Sequence, residues 1–394
     1  MKTFNLIYTD NEQLKTFIHS HDLTHYDHLL IQVFTGIIDK EFISALIDTL
    51  LSLLPQSKLI GATSDGIIDN NHILQLHTLI SFSVFDTTSI ETYMTGNMSN
   101  SYELGKSLAL QYPTEENIKA AICFTDGINT NGEEFLNGVS SINSEMLIAG
   151  GLAGDNGQFK QTYVFCDKGI TSNGAVSAIL YGKELIVSNY YSFGWQKIGK
   201  VLTITKSKNN RVYTIDGMNA TEVYAKYLGE EIRDKLPSTG VEFPLIIQRD
   251  GIDTARAVIK KHVDGSLSFA GNLNEGEKVH FGYGNTQNIL YYRDQVFQKA
   301  QRLPAESIFI YSCMARRRLL GEHLKSNLDL NYNSVTMNGF FTYGEFFHSC
   351  NKAELMNQTL TILILSENPA SRAYFPEEKK PHLRSERPAC ASAT

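Results

Sequence analysis

Met146–Gly157 reads MLIAGGLAGDNG, a short apolar run that passes through paired glycines into an acidic, Gly-rich turn. A run of this length bounded by turn residues predicts a buried strand. The same passage occurs twice more, as LIGATSDG over Leu59–Gly66 and TMNGFFTYGE over Thr336–Glu345. Another apolar run and then a helical segment precede each copy. The pairs are His28–Thr35 with Glu41–Leu54, stopped by Pro55; Ala120–Thr125 with Asn131–Ile142; and Ser307–Cys313 with Arg316–Lys325. In the second helix Glu133 and Glu134 lie near the start, where the dipole favours acids. A further strand follows each copy: His77–Phe85, Thr162–Cys166 and Asn357–Leu365.

The register of the copies is close. Thr35 leads to Gly61, Thr125 to Gly150 and Ser312 to Gly339, and Leu76-His77-Thr78-Leu79 aligns with Gln358-Thr359-Leu360-Thr361. Such regularity predicts an internal repeat of a strand–helix–strand–strand unit. The middle of the chain differs. Ala175–Tyr181, Leu185–Phe193, Val201–Ser207 and Arg211–Ile215 read as consecutive strands, the last two joined by an Asn209-Asn210 hairpin. Asn219 caps a helix that stops at Gly229, and strands resume at Phe243–Gln248, Ala255–His262 and Leu267–Ala270. Ile289–Arg302 reads as a helix ended by Pro304. Strands in succession favour antiparallel pairing, so the fold class is α+β, with mixed or antiparallel sheets and flanking helices. A domain boundary is expected between Tyr181 and Gly199, and after Glu367 the chain becomes a polar, Pro-rich tail.

Composition narrows the function classes. Apolar residues make up 42% and charged residues 20%, and the net charge is -7. That is globular composition without a basic surface, so no nucleic-acid partner is expected. No run is long enough to span a membrane, and Met1-Lys2-Thr3-Phe4-Asn5 does not begin a signal peptide, so a cytoplasmic location is expected. Five scattered cysteines with no CxxC spacing read as reduced thiols. P-loop, HExxH, GxSxG and kinase motifs do not occur.

Several residues carry chemistry. His21 and His25 would share a helical face as a metal pair, although their polar segment also reads as a solvated loop. Cys313 ends a strand just before Arg316-Arg317-Arg318, so it is either an activated thiol or a buried, inert one. Arg316 is either a carboxylate-binding fork or part of a charged helix face. Each Gly-rich turn holds a carboxylate: Asp65, Asp155 or Glu345. The third turn adds Tyr343 and His348 to an aromatic wall, as a small-molecule or haem pocket requires.

These motifs resemble the FIST family of bacterial sensory domains. The matching stretches are IGATSDGII at Ile60–Ile68, FTDGINTNGEEF at Phe124–Phe135, GGLAGD at Gly150–Asp155, YSCMARR at Tyr311–Arg317, NGFFTYGE at Asn338–Glu345 and NQTLT at Asn357–Thr361. The resemblance implies a FIST N-like domain over 20–190, a FIST C-like domain over 191–367 and a tail over 368–394. It implies a non-enzymatic sensor of a small molecule such as an amino acid, signalling to a histidine kinase or a cyclic di-GMP enzyme, with a homodimer allowed. No output domain follows, so the chain is expected to act in trans or to be cut from a longer one. One stand-alone subset of the family binds haem b and senses nitric oxide. In that version His348 would ligate the iron, a position inferred here because Phe-Phe-His stands where many members carry proline. Tyr343, Glu345, Arg316, Cys313, Asp155 and Asn357 are the expected ligand-binding residues. A thiol-dependent enzyme using Cys313 is the alternative of another class.

Overall fold

A computed structural model describes residues 1–98, 100–113, 117–321, 335–349 and 352–371. The first unit comprises β1 (Lys2–Tyr8), α1 (Asn11–Ser20), β2 (Leu29–Thr35), α2 (Lys40–Leu53), β3 (Lys58–Thr63), the hairpin β4 (Ile67–Asp69) and β5 (His72–Leu74), and β6 (Thr78–Val84). The second comprises β7 (Ser89–Gly96), α3 (Ser101–Ala109), β8 (Ile118–Thr125), α4 (Gly132–Ser140), β9 (Ile148–Leu152), the hairpin β10 (Val164–Cys166) and β11 (Gly169–Thr171), and β12 (Gly174–Tyr181).

The third unit opens with β13 (Ile186–Ser192) and is then interrupted by an inserted subdomain. The insert runs through β14 (Trp195–Lys208), β15 (Arg211–Ile215), β16 (Met218–Asn219), α5 (Ala220–Leu228), α6 (Ile232–Lys235), α7 (Thr239–Glu242), β17 (Leu245–Arg249), β18 (Ile252–Arg256), β19 (Val258–Lys261), β20 (Leu267–Phe269) and β21 (Lys278–Gly284). The unit resumes with α8 (Thr286–Ala300), β22 (Ser307–Cys313), α9 (Met314–Leu320), β23 (Thr336–Thr342), the hairpin β24 (Glu345–Ser349) and β25 (Lys352–Met356), and β26 (Leu360–Ser366). The fold is α+β with mixed sheets, as the repeats imply.

The units build three six-stranded sheets of one design: β1-β6-β2-β3-β10-β11, β7-β12-β8-β9-β24-β25 and β13-β26-β22-β23-β4-β5. In each the central pair is parallel, as the intervening helical crossover requires, and the other pairs are antiparallel. The outer hairpin of every sheet comes from a different unit. The second unit lends its hairpin to the first, the third to the second, and the first to the third.

The repeat glycines have one physical cause. Gly61 faces Val33, Gly150 faces Cys123 and Gly339 faces Ile310 across the parallel pairs. A Cβ at these three positions would lie 2.5, 2.0 and 1.8 Å from the facing residue's carbonyl oxygen, so no side chain fits. The next residue of each facing strand is aromatic: Phe34, Phe124 and Tyr311. All three pack on Phe340, with ring centroids 4.6, 5.3 and 5.9 Å away. The cross-strand partners of Phe34 and Phe124 are the small Ala62 and Gly151, which leaves the centre to Phe340. Burying each such ring contributes about 1.5–3 kcal/mol.

Three readings change. Leading strands β1 and β7 add to the expected unit, and β13 joins the third sheet. Ala255–His262 is two strands rather than one, broken at Ala257. β26 starts at Leu360, not Asn357, because Gln358 turns left-handed at φ 58°, like its repeat equivalent Leu76 at 56°. The expected helix over Arg316–Lys325 is helical to Leu320, and 322–325 lie outside the described residues, as do Cys350, Cys390 and the tail from 372. Among the described residues no helix is long and apolar enough to cross a membrane.

Candidate functional site

The three Gly-rich turns meet and close on one another. The Asp65 amide donates to the Phe341 carbonyl at 3.1 Å, and the Phe341 amide to that of Gly66 at 2.8 Å. The Gly154 amide donates to the Thr63 carbonyl at 2.9 Å, and the Tyr343 amide to that of Leu152 at 3.0 Å. The turns therefore form a ring of backbone bonds rather than the rim of an open pocket.

Two of the expected site residues hold this ring. The Asp155 carboxylate accepts the amides of Phe159 at 2.8 Å, Lys160 at 2.7 Å and Gln161 at 3.1 Å, and the Tyr343 hydroxyl donates to it as well. That hydroxyl in turn accepts the Asp155 and Gly157 amides at 3.1 and 2.9 Å. Asp65 is fully buried and accepts from the Arg317 Nε at 3.0 Å. Burial pushes its carboxyl up, and Arg317 opposes the shift.

Glu345 sits beside the third turn with no exposure. Its Oε1 accepts from the Thr342 hydroxyl at 2.5 Å, and its Oε2 from the Thr359 amide and hydroxyl at 3.2 and 2.5 Å. Burial outweighs these bonds and pushes its carboxyl up to about 7. An acid whose folded pKa exceeds its unfolded value favours the fold when protonated. The contribution is full below the unfolded pKa of about 4.5 and is lost as pH rises to about 7; it amounts to on the order of 3 kcal/mol. Urea unfolding at pH 5 and pH 8 is expected to show this decline in the native chain and to lose that part of it in Glu345→Gln. Equal slopes for both would sink the assignment.

Cys313 is buried, and burial followed by the nearby Glu345 charge pushes its thiol up, more than Arg316 lowers it. Of the two readings of Cys313, this environment favours the buried, inert thiol, because desolvation outweighs the neighbouring cation. Native protein is expected to show no fast reaction of Cys313 with a thiol reagent until it is unfolded, measured against Cys313→Ser.

Arg316 occupies the outer face of the third sheet, under α8. Its side chain is 1% exposed, and its Nε and Nη1 have no hydrogen-bond partner among the described residues. Burial, then the charge of Arg293, pushes it down to about 10, so it stays charged at neutral pH. Arg316 and Arg293 line a cavity with about 30 Å³ of free volume. Ser312 adds a hydroxyl, and the remaining walls are apolar, among them Ile310, Phe341 and Leu360 from the sheet and Phe297 from α8. Arg293 is paired, its Nε and Nη2 donating to Asp294 at 2.8 and 2.6 Å. Neither Tyr343 nor Glu345 lines this cavity.

The other expected residues lie elsewhere. The Asn357 Oδ1 accepts from Arg256 at 3.1 Å, within a buried network that also contains Glu133. His348, on β24, is partly buried, its Nδ1 has no partner among the described residues, and burial pushes the ring down to about 4. Of the early histidines, His25 pairs with Asp22 at 2.5 Å and His21 packs against Phe4 and Phe17. Among the described residues no group of three His, Cys, Asp or Glu is placed to hold a metal.

The family model for the FIST N domain matches residues 29–218, and that for the FIST C domain matches 220–348. The chain belongs to the FIST family. FIST domains are sensory domains that bind small ligands. Among curated proteins no match is found. The first FIST model therefore ends inside the inserted subdomain and the second covers the rest of it, so both matched regions contribute to the third unit's surroundings. In this FIST chain sequence reading reached Arg316 but missed Arg293. A signal was present: Ile289, Arg293, Val296, Phe297 and Ala300 share one helical face, and all are buried. A charged residue within such an apolar stripe marks a polar site beneath it.

Proposed function

We propose that the chain is a cytoplasmic sensory module that takes up a small anion beside Arg316 and reports its occupancy to a partner signalling protein, a histidine kinase or a cyclic di-GMP enzyme. One observation carries this reading: a fully buried guanidinium with two unpartnered donor nitrogens opening on a cavity. A buried charge without a partner is costly, and an incoming anion would remove that cost. The helix that carries Arg316 also carries Arg317, which holds Asp65 in the ring of turns. Occupancy at Arg316 therefore has a direct mechanical link to the junction of all three units, where a two-state shift would be felt.

The test is a thermal-shift titration with sodium salts of small anions at constant ionic strength. Binding to the native state raises stability by mass action, with ~2.7 kcal/mol expected at a hundredfold excess over Kd. A response equal in the native chain and in Arg316→Met would overturn the proposal.

A second reading is haem on His348, with nitric oxide as the signal. It is favoured by the unpartnered Nδ1 and by the neutral ring, the state an iron ligand needs. His348 does not line the Arg316 cavity, so a haem would need its own space beside the β24–β25 hairpin. When bound, the iron would supply the site for nitric oxide. Haem titration should then give a Soret band that His348→Ala abolishes or shifts; a spectrum of free haem alone would end this reading.

A further inference from the structure

We infer that the ligand of the Arg316 cavity is a short-chain aliphatic monocarboxylate without an ammonium group. This rests on the reading of the cavity as an anion site and names the chemistry of its occupant.

Among the described residues the charged groups lining the cavity are both cations, Arg293 and Arg316, and the one hydroxyl is that of Ser312. No carboxylate or side-chain amide of the described residues belongs to the lining. An α-amino acid would bring an ammonium within a bond or two of its carboxylate, hence into the field of both guanidiniums. That ammonium would be repelled and would lose its water without gaining an acceptor, a penalty of about tenfold or more in affinity. Glu345 does not line the cavity, and its oxygens are engaged by Thr342 and Thr359.

A multiply charged, strongly hydrated anion such as phosphate fits no better. Its oxygens seek many donors, whereas the rest of the lining is largely apolar, with Ile310, Phe341, Leu360 and Phe297. Nε and Nη1 of Arg316, the two atoms without a partner among the described residues, point to different sides of the guanidinium, and a carboxylate oxygen can accept a charge-assisted bond from either. The apolar wall then takes a hydrocarbon tail. The free volume of about 30 Å³ exceeds the ~10–15 Å³ that one water needs, so it admits the carboxylate head. A tail of a few carbons must push the apolar side chains apart, and this limits chain length.

Calorimetric titration of the full chain with butyrate, isobutyrate, 2-aminobutyrate, butylamine and inorganic phosphate tests the inference. Butyrate or isobutyrate should bind at least about tenfold more tightly than 2-aminobutyrate or phosphate. Butylamine should not bind. Arg316→Met should weaken the carboxylate about a hundredfold, with Arg316→Lys between the two. Equal or tighter binding of 2-aminobutyrate, or of phosphate, would overturn the monocarboxylate while leaving an anion site at Arg316. Binding of none of the anions, or binding indifferent to Arg316→Met, would overturn the anion site as well.

Discussion

Arg316→Met is expected to make the protein more stable, by about 1–4 kcal/mol, while it destroys anion binding. The two effects have one cause. Arg316 is 1% exposed, carries its charge at neutral pH and leaves Nε and Nη1 without acceptors. Taking a charge out of water costs several kcal/mol, and among the described residues no carboxylate bonds to it; the nearby Glu345 charge offsets burial only in part. Methionine follows much of the same path, suits the apolar walls formed by Phe297, Ile310 and Leu360, and has no charge to desolvate. Urea unfolding of both proteins in an anion-poor buffer measures the gain, and carboxylate titration measures the loss. A variant less stable than the parent would mean that the guanidinium is compensated in solution. Arg316→Ala is a poorer probe, because a cavity cost offsets the relief.

The opposite result is expected at Glu133. Its Oε1 accepts from Arg249 at 2.5 Å, and its Oε2 accepts from Arg256 and the Asn272 amide, each at 3.0 Å. Arg256 is 1% exposed and also donates to the Leu355 carbonyl and to Asn357, both at 3.1 Å. Glu133 lies in the first turn of α4, while Arg249, Arg256 and Asn272 belong to the inserted subdomain. The cluster therefore pins the insert to the second unit and to the segment before β26. Glu133→Ala strips buried Arg256 of its acid, leaves Arg249 with Glu277 alone, and is expected to cost about 3–5 kcal/mol, seen as a lower urea midpoint. Glu133→Gln, which keeps the acceptor oxygen but not the charge, should cost less. A loss below about 1 kcal/mol in the alanine variant would place this pair among weak surface contacts.

Much of the fold was legible because local signals and burial agreed. Ser307–Cys313 is built around the apolar run Ile308–Tyr311, and β22 has those bounds. Asn131 and Asn219 cap α4 and α5 as their side chains predict, accepting from the Glu133 and Thr221 amides. β1 was missed because its buried residues do not alternate, and β7 because Ser89–Gly96 mixes polar and apolar residues on one face. The exchange of hairpins could not be read at all, since pairing Ile67 with Phe340 is a contact between distant segments.

The site was partly legible for the same reason. Carboxylates in Gly-rich turns mark backbone demands, and Asp155 with Tyr343 satisfies those demands within the ring. Arg316 stood out by type and position, yet its meaning depends on what fails to pair with it. Asn357, grouped with the ligand residues by motif, is bound to Arg256 through a partner more than a hundred positions away.

The exchange of hairpins among the three sheets also governs how the chain can come apart. No unit holds all the strands of its own sheet, and the third sheet takes β4 and β5 from the first fifth of the chain. An N-terminal fragment ending after β12 would present β9 as an open edge, inviting pairing with another chain. Melting should accordingly be one concerted event for the three sheets, and a protease cut in any one hairpin should loosen two units at once. A signal entering at one unit is, by the same wiring, never private to it.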